Sequence, residues 1–130
     1  MVSSPLADML IRVKNGYLAR KAEVVVPWSK IKEAVAKVLC EGGYLSQKTV
    51  KADGVKKSLI LTLRYDDKKP ALNEVKIVSH PSLRVYVKKD QLPKVLNGLG
   101  LAVVSTPVGV LSGQEAAKKG LGGEVICEVW

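Results

Sequence analysis

The chain has 130 residues, and its 21 lysines and arginines against 12 acids give a formal charge of +9. That length suffices for one domain or two small lobes with a real core, and 47% hydrophobic with 25% charged residues excludes a disordered basic tail. Cys40 and Cys127 lack C-x-x-C spacing and the single histidine cannot complete a zinc sphere with them, so reduced packed thiols are expected, with no metal or cofactor.

Ser3 or Ser4 ahead of Pro5 reads as a helix start. Leu6, Met9, Leu10, Val13 and Tyr17 follow at helical spacing, with Asp8, Arg12 and Asn15 on the opposite face. Glu23 to Pro27 reads as a short strand. Ser29 is placed to cap a second helix whose apolar face holds Ile31, Ala34, Val35, Val38 and Leu39, and Gly42-Gly43 stops it. Tyr44 to Val50 and Ser58 to Tyr65 read as a hairpin around Asp53-Gly54. The polar run Asp66 to Ala71 favours an exposed turn and marks a boundary between an N-terminal α-β-α-β-β lobe, residues 1–65, and a second lobe, 72–130.

In the second lobe, Val75 to Ser79 and Arg84 to Lys88 read as strands flanking a His80-Pro81 turn. Asp90 to Asn97 suits one or two helical turns ended by Gly98 or Gly100. Leu101 to Ser105, Val108 to Leu111 and Glu124 to Val129 are further strands. Ser112 and Glu115 have capping-box spacing for a small helix through Lys119. The predicted fold class is α+β, two small lobes, the second an antiparallel sheet with short helices.

The first apolar helix carries Asp8, Arg12 and Lys14, unlike a secretory signal, and no apolar run approaches the ~20 residues of a membrane span. A soluble cytoplasmic protein, monomeric when free, is expected. His80 precedes a proline in a turn, with no nucleophile constellation around it, and Gly120, Gly122 and Gly123 lead into a strand rather than a P-loop helix. No catalytic residue is therefore assigned.

What remains favours binding to a phosphate backbone. Up to Pro70 the chain holds 14 basic against 7 acidic residues, and beyond it 7 against 5, so attraction to a polyanion is concentrated in the first half. The stretch Gly98 to Cys127 instead mixes hydroxyls and glycines with short apolar strands. Ser105 and Thr106 at a strand end can bond phosphate, ribose or base edges, and Gly122, Gly123 and Glu124 can offer bare backbone and an acceptor. Ser-Thr-Pro is also a common turn, and a tight turn into a strand explains the glycines equally well. A DNA-binding or membrane-surface module would share the charge, and an RNA-modifying enzyme would need a base that is not found.

Several blocks together resemble one family. Ser-Pro-Leu-Ala-Asp-Met-Leu-Ile-Arg-Val-Lys-Asn-Gly at 4 to 16, His80-Pro81-Ser82-Leu83-Arg84-Val85-Tyr86, Leu92-Pro93-Lys94-Val95 and the stretch from Gly100 through Lys118 are similar to bacterial members of the ribosomal protein S8 family, in order along nearly the whole chain. The resemblance implies a two-lobed α+β protein bound early to an irregular stem in the central domain of small-subunit rRNA, beside neighbouring ribosomal proteins. For many members it also implies repression of their own operon's mRNA. The family's RNA-contacting loop matches Ser105 and Thr106, but Pro107 stands where a serine is usual, which removes a hydroxyl and an N–H donor. Its contact glycines and carboxylate match Gly122, Gly123 and Glu124, and Tyr86 matches an RNA-facing tyrosine, with Arg84 and Lys88 beside it as further candidates. In the first lobe Arg12, Lys14 and Asn15 fall on the family's helix, and Lys30 and Lys32 at the next helix start are candidates for phosphates.

Overall fold

The structure is a computed structural model that describes residues 4–130. Helix α1 (Ser4–Leu18) buries Leu6, Met9, Leu10, Val13 and Tyr17 along one face, as their spacing requires, and a cap by Ser3 lies outside the described residues. Strand β1 (Glu23–Pro27) alternates exposed and buried residues, with Val24 and Val26 inward. Ser29 caps α2 (Lys30–Glu41), its hydroxyl accepting from the Lys32 N–H at 3.2 Å. Strands β2 (Gln47–Asp53) and β3 (Lys56–Thr62) form the expected hairpin, and β3 lies between β1 and β2 in an antiparallel three-stranded sheet. The hairpin starts later than its apolar residues suggest, because Tyr44 folds back on α2, its N–H donating to the Leu39 carbonyl at 2.9 Å.

Within the run read as a polar linker, β4 (Tyr65–Asp66) and β5 (Lys69–Pro70) make a small hairpin. Its two turn residues, Asp67 and Lys68, both have positive φ, the geometry of a tight twisted turn. Strands β6 (Val75–Ile77) and β7 (Tyr86–Val87) are shorter than expected, since both pair with β10 (Gly123–Val129) rather than with each other. The His80–Leu83 turn between them is closed by reciprocal backbone hydrogen bonds of 2.8 and 3.0 Å. Of the Asp90 to Asn97 segment only Lys89–Gln91 forms a helical turn, a short 3-10 one that ends ahead of Pro93, whereas Val95–Gly98 is a tight turn with left-handed backbone at Leu96 and Asn97 in place of the second helical turn expected.

Strand β8 (Leu101–Thr106) lies between β10 and β9 (Gly109–Ser112), and Ser112 caps α3 (Gly113–Lys118) by accepting from the Glu115 N–H at 3.1 Å. The second sheet thus runs β6-β10-β8-β9, with β7 sharing the β6 edge of β10. One apolar cluster spans both halves of the chain. Leu6, Leu10, Val35 and Leu39 belong to the same core as Leu101, Val103, Ile126, Cys127 and Val129. Burial pushes the Cys127 thiol up to about 12, in keeping with an inert packed sulfur.

Candidate nucleic-acid interface

The second sheet gathers nine of the sequence-selected residues at one end. The pairing of β7, β10 and β8 puts Tyr86, Glu124 and Ser105 in a single cross-strand row, because Glu124 is the register partner of both others. Side chains of such a row share a face. Tyr86 stands out from it, 67% exposed, whereas Glu124 beside it is only 4% exposed. The Arg84 guanidinium lies 3.7 Å from the Glu124 carboxylate, so this buried acid has a cation at its side.

The glycines are where the strands pass too closely for a side chain. A Cβ on Gly123 would stand 2.1 Å from the Ser105 carbonyl oxygen, and one on Gly122 would stand 2.3 Å from the Val87 carbonyl oxygen and 2.9 Å from Lys88 Cα. The tight strand entry therefore requires both glycines, and their bareness lets β7 and β8 close on β10. Lys88 itself is exposed at the rim.

The two hydroxyls of the Ser-Thr pair differ in what they do. Thr106 is nearly buried; its hydroxyl donates to the Gly109 carbonyl at 2.7 Å and accepts from the Val108 N–H at 3.3 Å, bracing the β8–β9 turn from inside. Ser105 is half-buried, and its hydroxyl makes no hydrogen bond among the described residues. Of the two, Ser105 keeps a donor and an acceptor for a ligand. Pro107 and Val108 form the exposed tip between Thr106 and Gly109, whose φ of +125 suits only glycine.

One residue of this region gave no sequence signal. Ser79 is fully buried, donates from its hydroxyl to the Val125 carbonyl at 2.7 Å and accepts from the Val85 N–H at 2.9 Å. It ties the chain before the His80 turn to both β10 and the approach to β7, and so sets where Tyr86 stands. A lone serine after Ile77 and Val78 looks like any strand end, and only the long-range pairing reveals its task.

The first-half candidates do not gather with these nine, and they divide among themselves. Arg12 and Asn15 are exposed on α1, where the Arg12 guanidinium also reaches Asp8 at 3.1 Å. Lys14 turns inward, its ammonium 2.5 Å from Glu74 at the approach to β6. That hydrogen bond, with a second from the Val75 N–H, holds the Glu74 carboxyl below its usual range. Lys30 is exposed at the start of α2, but Lys32 is buried and donates to the Pro27 carbonyl at 3.0 Å. Lys32 shares the buried stripe of α2 with Val35, Ala36 and Leu39, so its aliphatic stem lies along the core and the ammonium finds the nearest carbonyl.

Among the described residues no helix is long and apolar enough to cross a membrane, and no group of three His, Cys, Asp or Glu is placed to hold a metal. The sequence profile of the family described as ribosomal protein S8 matches residues 4–130. The chain is 49% identical over 128 residues to the small ribosomal subunit protein uS8 of Hydrogenovibrio crunogenus, covering 98% of each. It is 46% identical over 129 residues to that of Coxiella burnetii, covering 99% of each, and 45% identical over 130 residues to that of Clostridium novyi, covering 100% of this chain and 99% of the other.

Proposed function

Since the chain belongs to the ribosomal protein S8 family, and is thus a non-enzymatic structural protein of the small ribosomal subunit that associates with rRNA and other ribosomal proteins, we propose that its second sheet reads an irregular stem in the central domain of that rRNA. The observation that carries this reading is the row Tyr86–Glu124–Ser105 beside the Pro107-Val108 tip. It presents an aromatic face, a hydroxyl open to a ligand and a rim of backbone, with its one acid buried against Arg84. A surface of that kind suits unstacked bases and 2′-hydroxyls of a distorted helix better than a regular duplex.

In this reading two lobes, 1–65 and 72–130, hold the RNA between them. Arg12, Asn15 and Lys30 of the first contact phosphates and supply salt-dependent attraction, while Tyr86 and Ser105 of the second supply discrimination. Lys14 and Lys32 leave the contact list, because their ammonium groups are bound to Glu74 and Pro27. The free protein acts as a cytoplasmic monomer. An mRNA of its own operon that copies the stem is bound by the same surface, which gives translational repression.

The test is binding to a central-domain stem and to a random-sequence RNA duplex at fixed salt. Tyr86→Ala weakens the stem complex by about 1–3 kcal/mol, the usual worth of one aromatic stack, and leaves the duplex complex nearly unchanged. An equal loss on both RNAs removes the row from specific recognition.

A further inference from the structure

The β2–β3 hairpin continues beyond the sheet that carries it. Pro27 at the end of β1 pairs with Ser58, whereas β2 and β3 go on pairing through Ala52–Lys57 and Asp53–Lys56. The result is a two-stranded ribbon with no third strand among the described residues, turned at Gly54 and Val55, and exposed from Thr49 through Lys57. Val55 at its tip is entirely in solvent, the most exposed of the large hydrophobic residues described.

The ribbon carries three lysines, Lys51, Lys56 and Lys57. Asp53 faces Lys56 in the register, yet none of the three lysines lies within 4 Å of a carboxylate among the described residues. Lys57 is nevertheless held in place. Its ammonium sits 4.8 Å from the centre of the Trp28 ring, and its carbonyl accepts from the Trp28 N–H at 3.1 Å. The indole is fixed in turn, since its N–H donates to Glu33 at 2.8 Å and Glu33 also binds Lys48 at 2.9 Å. A shallow cavity of about 340 Å³, lined by Val25, Val26, Pro27 and Lys56 to Ser58, opens at the ribbon's base.

Lysines on a hairpin are ordinarily a solvated face, but solvation gives no reason for an indole brace under one lysine or for a bare valine at the tip. Both suit a polyanion with apolar patches between its charges, such as the sugar edges of an RNA groove flanked by phosphates. We propose that the β2–β3 ribbon is a second RNA-binding element, which lays Lys51, Lys56 and Lys57 on the sugar–phosphate backbone of the rRNA outside the stem read by the second sheet, with Val55 against a sugar. The proposal rests on the reading that the partner is small-subunit rRNA.

It is tested with the full chain on two RNAs, the stem alone and the stem with its flanking helices, over a range of KCl concentrations. On the longer RNA the triple variant Lys51→Gln, Lys56→Gln, Lys57→Gln lowers the slope of log K against log salt by about 2–3, as the loss of three phosphate contacts requires, and on the stem alone it leaves the slope nearly unchanged. Val55→Glu, with the lysines intact, weakens binding to the longer RNA about threefold or more. An unchanged slope on the longer RNA, in a variant with the wild-type circular dichroism spectrum, overturns the ribbon. Wild-type binding to the stem alone that is no tighter than to a random duplex overturns the rRNA reading instead, and that arm does not depend on the ribbon.

Discussion

On the β2–β3 ribbon of the three-stranded sheet three of the exposed residues, Lys51, Lys56 and Lys57, are lysines on long stems around a bare Val55, whereas between Lys94 and Glu115 the chain, which includes β8 and β9 of the second sheet, has no charged residue at all. The first surface has reach and attraction but little shape, because a lysine adapts to any phosphate within its length. The second has shape and almost no attraction. Its strands close so tightly on Gly122 and Gly123 that its outline is set by backbone rather than by side-chain rotamers. In the proposed reading, a chain with a charge of +9 can leave β8 and β9 uncharged, with Arg84 and Lys88 beside the row, because its first half holds most of the excess positive charge that attracts the polyanion.

The largest effect that would break this contrast is a methyl group at the strand crossing. Gly123→Ala puts a carbon 2.1 Å from the Ser105 carbonyl, so β10 or β8 must move, at a cost of about 3 kcal/mol in urea unfolding. Stem binding falls with it, while binding to random RNA at low salt persists in the folded fraction. A wild-type urea midpoint would show that the strands have slack that the packing denies.

A smaller effect sharpens the contrast within the second sheet. Thr106→Ala and Thr106→Val both lose the brace to Gly109 and Val108, at about 1 kcal/mol of stability, and Thr106→Ser restores it. Ser105→Ala, by comparison, leaves the unfolding midpoint in place and weakens only the stem complex. Should Thr106→Ala leave stability untouched and still impair binding, the hydroxyl is a contact rather than a brace.

The smallest effect lies where the two halves meet. Glu74 is held below the usual glutamate value of 4.5, first by Lys14 and then by the Val75 N–H, so the folded chain gives up that proton more readily than the unfolded one. Its contribution is therefore full above the ordinary glutamate range and is lost as pH falls through the lowered folded value. Glu74→Gln is expected to be slightly less stable than wild type at pH 7, with a difference that narrows as the pH of urea titrations falls below the ordinary glutamate range. A difference that persists in acid would assign the effect to packing.

Much of the first half was legible because its signals are local. The apolar spacing of α1, the Ser29 cap and the glycine of the β2–β3 turn, which falls at Gly54-Val55 one residue later than Asp53-Gly54, each lie within a few residues of what they determine. The second half was read as a set of strands in the right places, but its pairing was not, since β6, β7 and β8 all depend on a strand far along the chain. Left-handed backbone at Leu96 had no sequence signal, whereas Asn97, ahead of Gly98, is of a residue type that adopts it readily. The site candidates were legible as residue types. Their division into braces and open groups, Thr106 against Ser105 or Lys32 against Lys30, was not, because it depends on which carbonyl happens to be nearby. Trp28 escaped notice for the same reason, as its lysine partner lies on another strand.

The position of β10 has a consequence for the order in which the molecule is assembled. It is the last strand in chain order and the inner strand that β6, β7 and β8 all pair with. During synthesis the α1, α2 and β1–β3 part has its sheet partners early, and the β8–β9 hairpin can close by itself. Strands β6 and β7, however, wait for residues 123–129 to leave the ribosome, because their ladder partners come last. Until then the row that carries Tyr86 and Ser105 does not exist. In the proposed reading a nascent chain is thus able to attract RNA through its basic half before it can tell one RNA from another, and completion of a single strand confers that discrimination.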